Sequence, residues 1–102
     1  MTTPAPLFLT LGTTRVRVTK SPTIVGRHWT ADIRLPLADV SRRHCELLWK
    51  NDQWTVRDLE SLNGTSVNEN QINKEIPLQE GDILRIGSFA LHVAFAAEEE
   101  GE

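Results

Sequence analysis

From Asp39 to His44 the chain reads Asp-Val-Ser-Arg-Arg-His, which sets a hydroxyl (Ser41), two guanidinium groups (Arg42, Arg43) and an imidazole (His44) on successive residues. Two other short stretches carry complementary groups. One is Gly26-Arg27, upstream; the other is Ser61-Leu62-Asn63-Gly64-Thr65, downstream, with Asn68 just beyond. Arginine presents a planar fork that donates two parallel hydrogen bonds, a match for phosphate oxygens. A serine hydroxyl and backbone N–H groups in tight loops add donors. A side-chain amide both donates and accepts, as recognition of a peptide backbone requires. Together these groups are suited to gripping a phosphate and the peptide that carries it.

Other chemistries fit the same residues less well. Asp39, Ser41 and His44 are the residue types of a catalytic triad, but Ser41 and His44 stand three apart. In extended chain an odd separation sends side chains to opposite faces. No Gly-x-Ser-x-Gly elbow occurs, so no catalytic residue is expected. His28, His44 and His92 lack ligand spacing, and no metal or other cofactor is expected. Neither a Gly-x-x-x-x-Gly-Lys loop nor Gly-x-Gly-x-x-Gly is present, which argues against a bound nucleotide. The single cysteine, Cys45, allows no internal disulfide and no Cys-based zinc site.

The net charge of −3 argues against nucleic acid, whose binders carry a basic surplus. Part of the acidity sits in Glu98-Glu99-Glu100-Gly101-Glu102, read as a solvated end or the start of a linker. No apolar run approaches membrane length, and Leu7 to Leu11 is too short for a signal peptide. The expectation is a soluble cytoplasmic protein with no membrane partner.

The elements that must position the three stretches follow from apolar periodicity. The chain of 102 residues suits one domain with one core. Met1 to Pro6 reads as a loose lead-in. Strand patterns follow at Leu7–Leu11 and around Val16 and Val18, with Gly12-Thr13 turning between them. Thr23-Ile24-Val25 is a short buried strand stopping at Gly26, where glycine is expected to let the backbone bend where a side chain would clash. Cys45, Leu47 and Trp49 share one strand face. Asn51-Asp52 turns the chain, and Trp54 and Val56 continue the hairpin. Val67 lies in a short strand, and Asn70 is expected to start a turn. Ile72, Ile76 and Leu78 are spaced apolar anchors. Leu84 and Ile86, then Phe89, Leu91, Val93 and Phe95, form a last hairpin across Gly87-Ser88. No window offers an amphipathic helix. Many short strands at close spacing mean a β-sandwich or small barrel, and in a sandwich the three polar stretches could share one end. Trp49 and Trp54 fall on apolar faces and read as core. Trp29 sits in a loop, as a core lid or a peptide contact. Cys45 reads as a small buried hydrophobe.

Residues 24 to 93 resemble a forkhead-associated (FHA) domain. The matching pieces are Gly26-Arg27, Asp32-Ile33, Val40-Ser41-Arg42-Arg43-His44, Trp54, Asp58-Leu59, Asn63-Gly64-Thr65, Val67-Asn68, Gly81-Asp82 and Ile86-Gly87. The resemblance implies an all-β sandwich of about eleven short strands, FHA/SMAD-like, with binding loops at one end, spanning residues 7–96 between a lead-in (1–6) and an acidic tail (97–102). It implies a phosphothreonine-peptide-binding module in Ser/Thr-kinase signalling. The partner would be a phosphothreonine-containing protein or peptide, from a kinase or its substrate. The alternative is a structural FHA domain making phosphate-independent contacts.

By motif, Arg27 and Ser41 would contact the phosphate, and Arg42 would add a bond or charge. Arg43 would be either a further contact or a solvated charge. Asn63 would hold the peptide backbone. Gly26 would set the turn that aims Arg27. His44, Gly64, Thr65 and Asn68 would brace the loops. Asp39, two before the serine, would face the third residue after the phosphothreonine and disfavour acidic side chains there. The family often carries Ser or Thr where this chain has Leu62, so the site would lack one donor unless Ser61 substitutes for it.

Overall fold

The computed structural model describes residues 3–95. They form eleven strands and, among the described residues, no helix. The strands are β1 (Leu7–Leu11), β2 (Thr14–Val18), β3 (Thr23–Gly26), β4 (Ile33–Arg34), β5 (Cys45–Lys50), β6 (Gln53–Asp58), β7 (Thr65–Val67), β8 (Asn70–Gln71), β9 (Ile76–Pro77), β10 (Ile83–Ile86) and β11 (Phe89–Ala94). They make two sheets, one of six strands in the order β2-β1-β11-β10-β7-β8 and one of five in the order β4-β3-β5-β6-β9. Every pairing is antiparallel except the short β3–β4 pair. The expected sandwich is therefore the observed architecture. The acidic stretch Glu98 to Glu102 and the expected domain end at Ala96 lie outside the described residues.

Period-2 alternation builds the core. Leu7, Leu9, Leu84, Ile86, Leu91 and Val93 of the six-stranded sheet and Val25, Cys45, Leu47, Trp54 and Val56 of the five-stranded sheet are all buried in one cluster. Burying each such side chain is worth about 1.5–3 kcal/mol. Trp54 is 1% exposed and donates its indole N–H to the Ala5 carbonyl at 2.7 Å. Trp49 is only partly buried and packs edge-on against Trp54, ring centroids 5.6 Å apart. Cys45 is fully buried, which pushes its thiol pKa up. Asn51 and Asp52 both adopt positive φ (54° and 62°), the twist that a two-residue hairpin between β5 and β6 requires.

One turn falls earlier than the pattern indicated. Asn70 does not start it; Asn68 and Glu69 do, at φ 52° and 72°. Asn70–Gln71 is instead strand β8, pairing back on β7 through Ser66↔Gln71 and Val67↔Asn70. Asparagine enters the left-handed region more easily than most residues, so the Asn-Glu step closes the hairpin.

The register fixes which connections meet. Val25 pairs with Cys45, Cys45 with Asp58, and Thr65 with Ile86. The end of β3, the start of β5 and the end of β6 therefore meet at one end of the five-stranded sheet, the start of β7 and the end of β10 at one end of the other, and hydrogen bonds from Thr65 to Asp58 and between His44 and Gly64 bring the two ends together. The three polar stretches lie in the loops there. No helix among the described residues is long and apolar enough to cross a membrane, which says nothing of strands.

Candidate functional site

The segment before β5 runs alongside the end of β3. Arg27 N–H donates to the Ser41 carbonyl (2.9 Å), His28 N–H to the Arg42 carbonyl (3.2 Å) and His44 N–H to the Val25 carbonyl (2.8 Å). Gly26 sits within this contact. A Cβ there would lie 2.0 Å from the Arg42 carbonyl oxygen. A side chain there would clash, as expected, and the obstruction is the backbone of a second segment; Gly26 is not among the residues at positive φ, so it is the close approach of two backbones that requires glycine at this position. The approach delivers Arg27 to the loop end. Its Nε donates to the Val40 carbonyl at 2.9 Å, fixing the stem of the side chain, while its terminal nitrogens have no partner among the described residues. Arg27, Arg42 and Arg43 are all exposed.

His44 lies beneath this surface, fully buried. The Ser41 N–H donates to its Nδ1 (3.0 Å), and its Nε2 meets the Gly64 carbonyl (2.7 Å). A backbone N–H only donates and a carbonyl only accepts, so the proton sits on Nε2. The imidazole thus ties the loop before β5, in the five-stranded sheet, to the loop before β7, in the other. Residues 41–44 form no extended chain, so the odd-spacing argument does not apply. The geometry nevertheless pairs His44 with the Ser41 backbone, while the Ser41 hydroxyl turns to the Leu62 N–H, which donates to it at 2.9 Å.

The loop from Asp58 to Thr65 is wound on one carboxylate. Asp58 accepts from the Ser61 N–H (3.0 Å), the Ser61 hydroxyl (2.6 Å) and the Thr65 hydroxyl (2.7 Å). Partial burial alone would raise its pKa, but these hydrogen bonds outweigh it and hold the carboxyl below its ordinary value. Ser61 Oγ also accepts from the Gly64 N–H at 2.9 Å. Its hydroxyl is spent inside the loop in both directions, so Ser61 is not placed to substitute for the donor missing at Leu62. Gly64 has φ 85°, and a Cβ there would come within 2.5 Å of the Gln71 side chain. Thr65 is fully buried.

At the loop tip Leu62 is 88% exposed. Asn63 is exposed too, and its amide donates to the Asp39 carbonyl at 3.0 Å. The Asp39 carboxylate is turned toward the β10–β11 turn, where the Ser88 hydroxyl donates to Oδ2. Asp39 Oδ1 is buried without a hydrogen-bond partner among the described residues. Asp39 therefore does not present an open carboxylate to a passing peptide, as its expected selectivity role requires. Asn68 lies at the other end of β7. Its amide bonds Asp82 Oδ1 (2.8 Å) and accepts from the Ile83 N–H (2.9 Å). It braces the β7–β8 turn against β10, away from the loops it was expected to support.

The structure thus gathers Arg27, Ser41, Arg42, Arg43 and Asn63 on one loop surface, over His44, Gly64 and Thr65. Sequence reading missed the bracing parts played by Asp58, Ser61, Ser88 and the Val40 carbonyl. The Asp58-x-x-Ser61 spacing was a usable signal, since Asp readily bonds backbone two or three residues on. No group of His, Cys, Asp and Glu among the described residues could hold a metal ion.

A two-sheet sandwich that gathers exposed guanidinium groups, a serine hydroxyl and a side-chain amide on the loops at one end, over hydrogen-bonded bracing, defines a β-domain that presents polar loops from a rigid frame. Its family is shown directly: a model of the FHA domain matches residues 23–87, and the chain belongs to the FHA family. It is 43% identical over 77 residues to an oxoglutarate dehydrogenase inhibitor of Corynebacterium jeikeium, covering 76% of this chain and 53% of that protein. Among solved structures it is similar to Mycobacterium tuberculosis EmbR in complex with a low-affinity phosphopeptide, with TM-score 0.89 and 27% identity over 95% of this chain and 26% of that one. It also resembles a domain solved in a structural and functional analysis of phosphothreonine-dependent FHA domain interactions. There the TM-score is 0.82 and the identity 33%, over 89% of this chain and 97% of that one. The chain spans about half the length, or less, of the curated relatives it matches.

Proposed function

We propose that this chain is a reversible phosphothreonine-peptide-binding module acting in Ser/Thr-kinase signalling. One observation carries the reading: the Arg27 N–H bonds the Ser41 carbonyl, which sets an arginine with unengaged terminal nitrogens beside a serine whose hydroxyl hydrogen is free to donate. Arg27 would give the phosphate a charge-assisted pair of bonds, Ser41 a third, and Arg42 further positive charge, with Arg43 beside it. Asn63, whose NH2 is held by Asp39, keeps its amide oxygen for a peptide N–H and would set the register. The similarity to structures obtained with a phosphopeptide and in phosphothreonine-dependent interactions supports this choice of ligand. The ligand is bound and released with no bond made or broken in it. Its source is a kinase or a kinase substrate, and the reading includes a cytoplasmic setting, where ATP-dependent phosphorylation supplies it. Affinity in the micromolar range, about −8 kcal/mol, suits such a contact.

Calorimetric titration of phosphothreonine peptides against unphosphorylated controls tests the reading. Arg27→Ala is expected to keep the fold and cost about 1.5–3 kcal/mol of binding. Phosphothreonine is expected to bind about fourfold more tightly than phosphoserine, the worth of one buried methyl group. Equal binding of phosphorylated and unphosphorylated peptides would instead favour a domain that makes phosphate-independent contacts.

A further inference from the structure

Three large apolar side chains stand exposed among the described residues: Trp29 (76%), Leu37 (45%) and Leu62 (88%). Scattered single apolar residues on a surface are ordinary, but these are not scattered. Trp29 lies between β3 and β4, Leu37 between β4 and β5, and Leu62 between β6 and β7. These are the same loops that carry Arg27, Ser41 and Asn63. The sheet order β3-β5-β6 puts the Trp29 and Leu62 loops on opposite sides of the Ser41–His44 segment.

Both side chains are set on braced backbone. Around Trp29, the Ala31 N–H donates to the His28 carbonyl (2.9 Å) and the Thr30 N–H to His28 Nδ1 (3.2 Å). The indole also stacks on the His28 ring, centroids 5.7 Å apart at 29°. Leu62 is anchored through its N–H to the Ser41 hydroxyl, so it stands directly beside the proposed phosphate contact. An indole or isobutyl group held in place on rigid backbone loses little entropy when a ligand covers it. The buried core cluster draws on neither residue, so neither is exposed as the overflow of a crowded interior.

We infer that Trp29 and Leu62 are specificity-determining contacts on either side of the phosphate-gripping groups, and that this site takes phosphothreonine peptides bearing large aliphatic or aromatic residues flanking the phosphothreonine. The inference rests on the phosphopeptide reading above and narrows it to one ligand class. The leucine standing where the family often has a hydroxyl residue thus exchanges one phosphate donor for an apolar contact.

The test uses one phosphothreonine peptide core made with leucine or phenylalanine flanks and again with alanine flanks, each with its unphosphorylated control. Wild-type protein is expected to bind the apolar-flanked phosphopeptide about tenfold more tightly than the alanine-flanked one. The Trp29→Ala/Leu62→Ser double variant is expected to bind the two about equally, while still discriminating against the unphosphorylated controls. Tryptophan emission of the wild type should shift to the blue on binding the apolar-flanked peptide, and that shift should vanish in Trp29→Phe. Wild-type affinities for the two phosphopeptides within about twofold, well inside one decade of Kd, would overturn the inference and leave the phosphopeptide reading standing. Binding indifferent to phosphorylation with either flank would overturn both.

Discussion

Replacing Gly26 by alanine tests the packing logic of the site most directly. The added Cβ would sit 2.0 Å from the Arg42 carbonyl oxygen, 2.7 Å from its carbonyl carbon and 3.0 Å from Arg43 Cα. Close carbon–oxygen contacts in proteins begin at about 3.3 Å, so β3 and the Ser41–Arg43 segment must part by about 1 Å. Every obstructing atom is backbone, and none can swing aside as a side chain would. Parting by that much stretches the Arg27 N–H bond to Ser41 (2.9 Å) and the His28 N–H bond to Arg42 (3.2 Å) beyond useful range, about 3.5 Å. The overpacking and two weakened bonds together cost about 2–4 kcal/mol. In a domain of this size that lowers Tm by at least about 10 °C. Scanning calorimetry measures it, with Gly12→Ala as the control. Gly12 has φ 61°, and a Cβ there would meet nothing within 4 Å among the described residues, so its alanine pays only left-handed strain of about 1–2 kcal/mol. A Gly26→Ala protein whose Tm falls less than that of Gly12→Ala would refute the close-approach argument. Gly26→Ala that unfolds early yet binds phosphopeptide normally would refute the claim that the same contact aims Arg27.

Further outcomes follow from the bracing below the site. His44→Phe keeps the volume but strands the Ser41 N–H and the Gly64 carbonyl, so urea denaturation should show a loss of about 2–4 kcal/mol. Leu62→Thr should leave stability within about 0.5 kcal/mol by the same method, because the leucine side chain covers no core and its backbone N–H is unchanged. Asp58 has a lower pKa folded than unfolded. Its stabilisation is therefore fully present above the unfolded value, about 3.9, and is lost as pH falls through the depressed folded value. Unfolding free energy measured from neutral pH toward pH about 3 should drop more steeply in the wild type than in Asp58→Asn, and parallel curves would dismiss the three-bond brace.

The hairpins were legible because alternation and turn chemistry agree in them. Cys45 to Val56 reads as two strands around Asn51-Asp52, and both residues of that pair adopt the positive φ the turn needs. β8 and β9 were not read as paired strands, because two residues apiece hold no period and exist as strands only through bonds to β7 and β6. The groups proposed to face phosphate were visible as residue types and motif order. Their support was less so, since it depends on long-range pairs such as Asp39 with Ser88 or His44 with Gly64, 49 and 20 residues apart. Gly26 shows the limit: a clash of any side chain there was expected, but that the obstruction is the Arg42–Arg43 backbone depends on a segment 16 residues further along the chain.

The bracing at the loop end has a consequence for change over time and for engineering. The site is built in two storeys. The lower one, His44, Thr65, Asp58 and Ser61, spends its polar atoms on the backbone and on each other. The upper one, Trp29, Leu37, Arg43 and Leu62, shows its side chains to solvent, and apart from the Trp29 indole stacked on His28 those side chains take no part in holding the loops among the described residues. Substitutions on the upper storey are cheap, within about 0.5 kcal/mol each, and they alter only what the surface presents. Recognition can therefore be rewritten one tip at a time on an unchanged frame, much as a toolholder accepts different bits. A library randomised at those four tips should remain largely folded while its members diverge in the sequences they prefer.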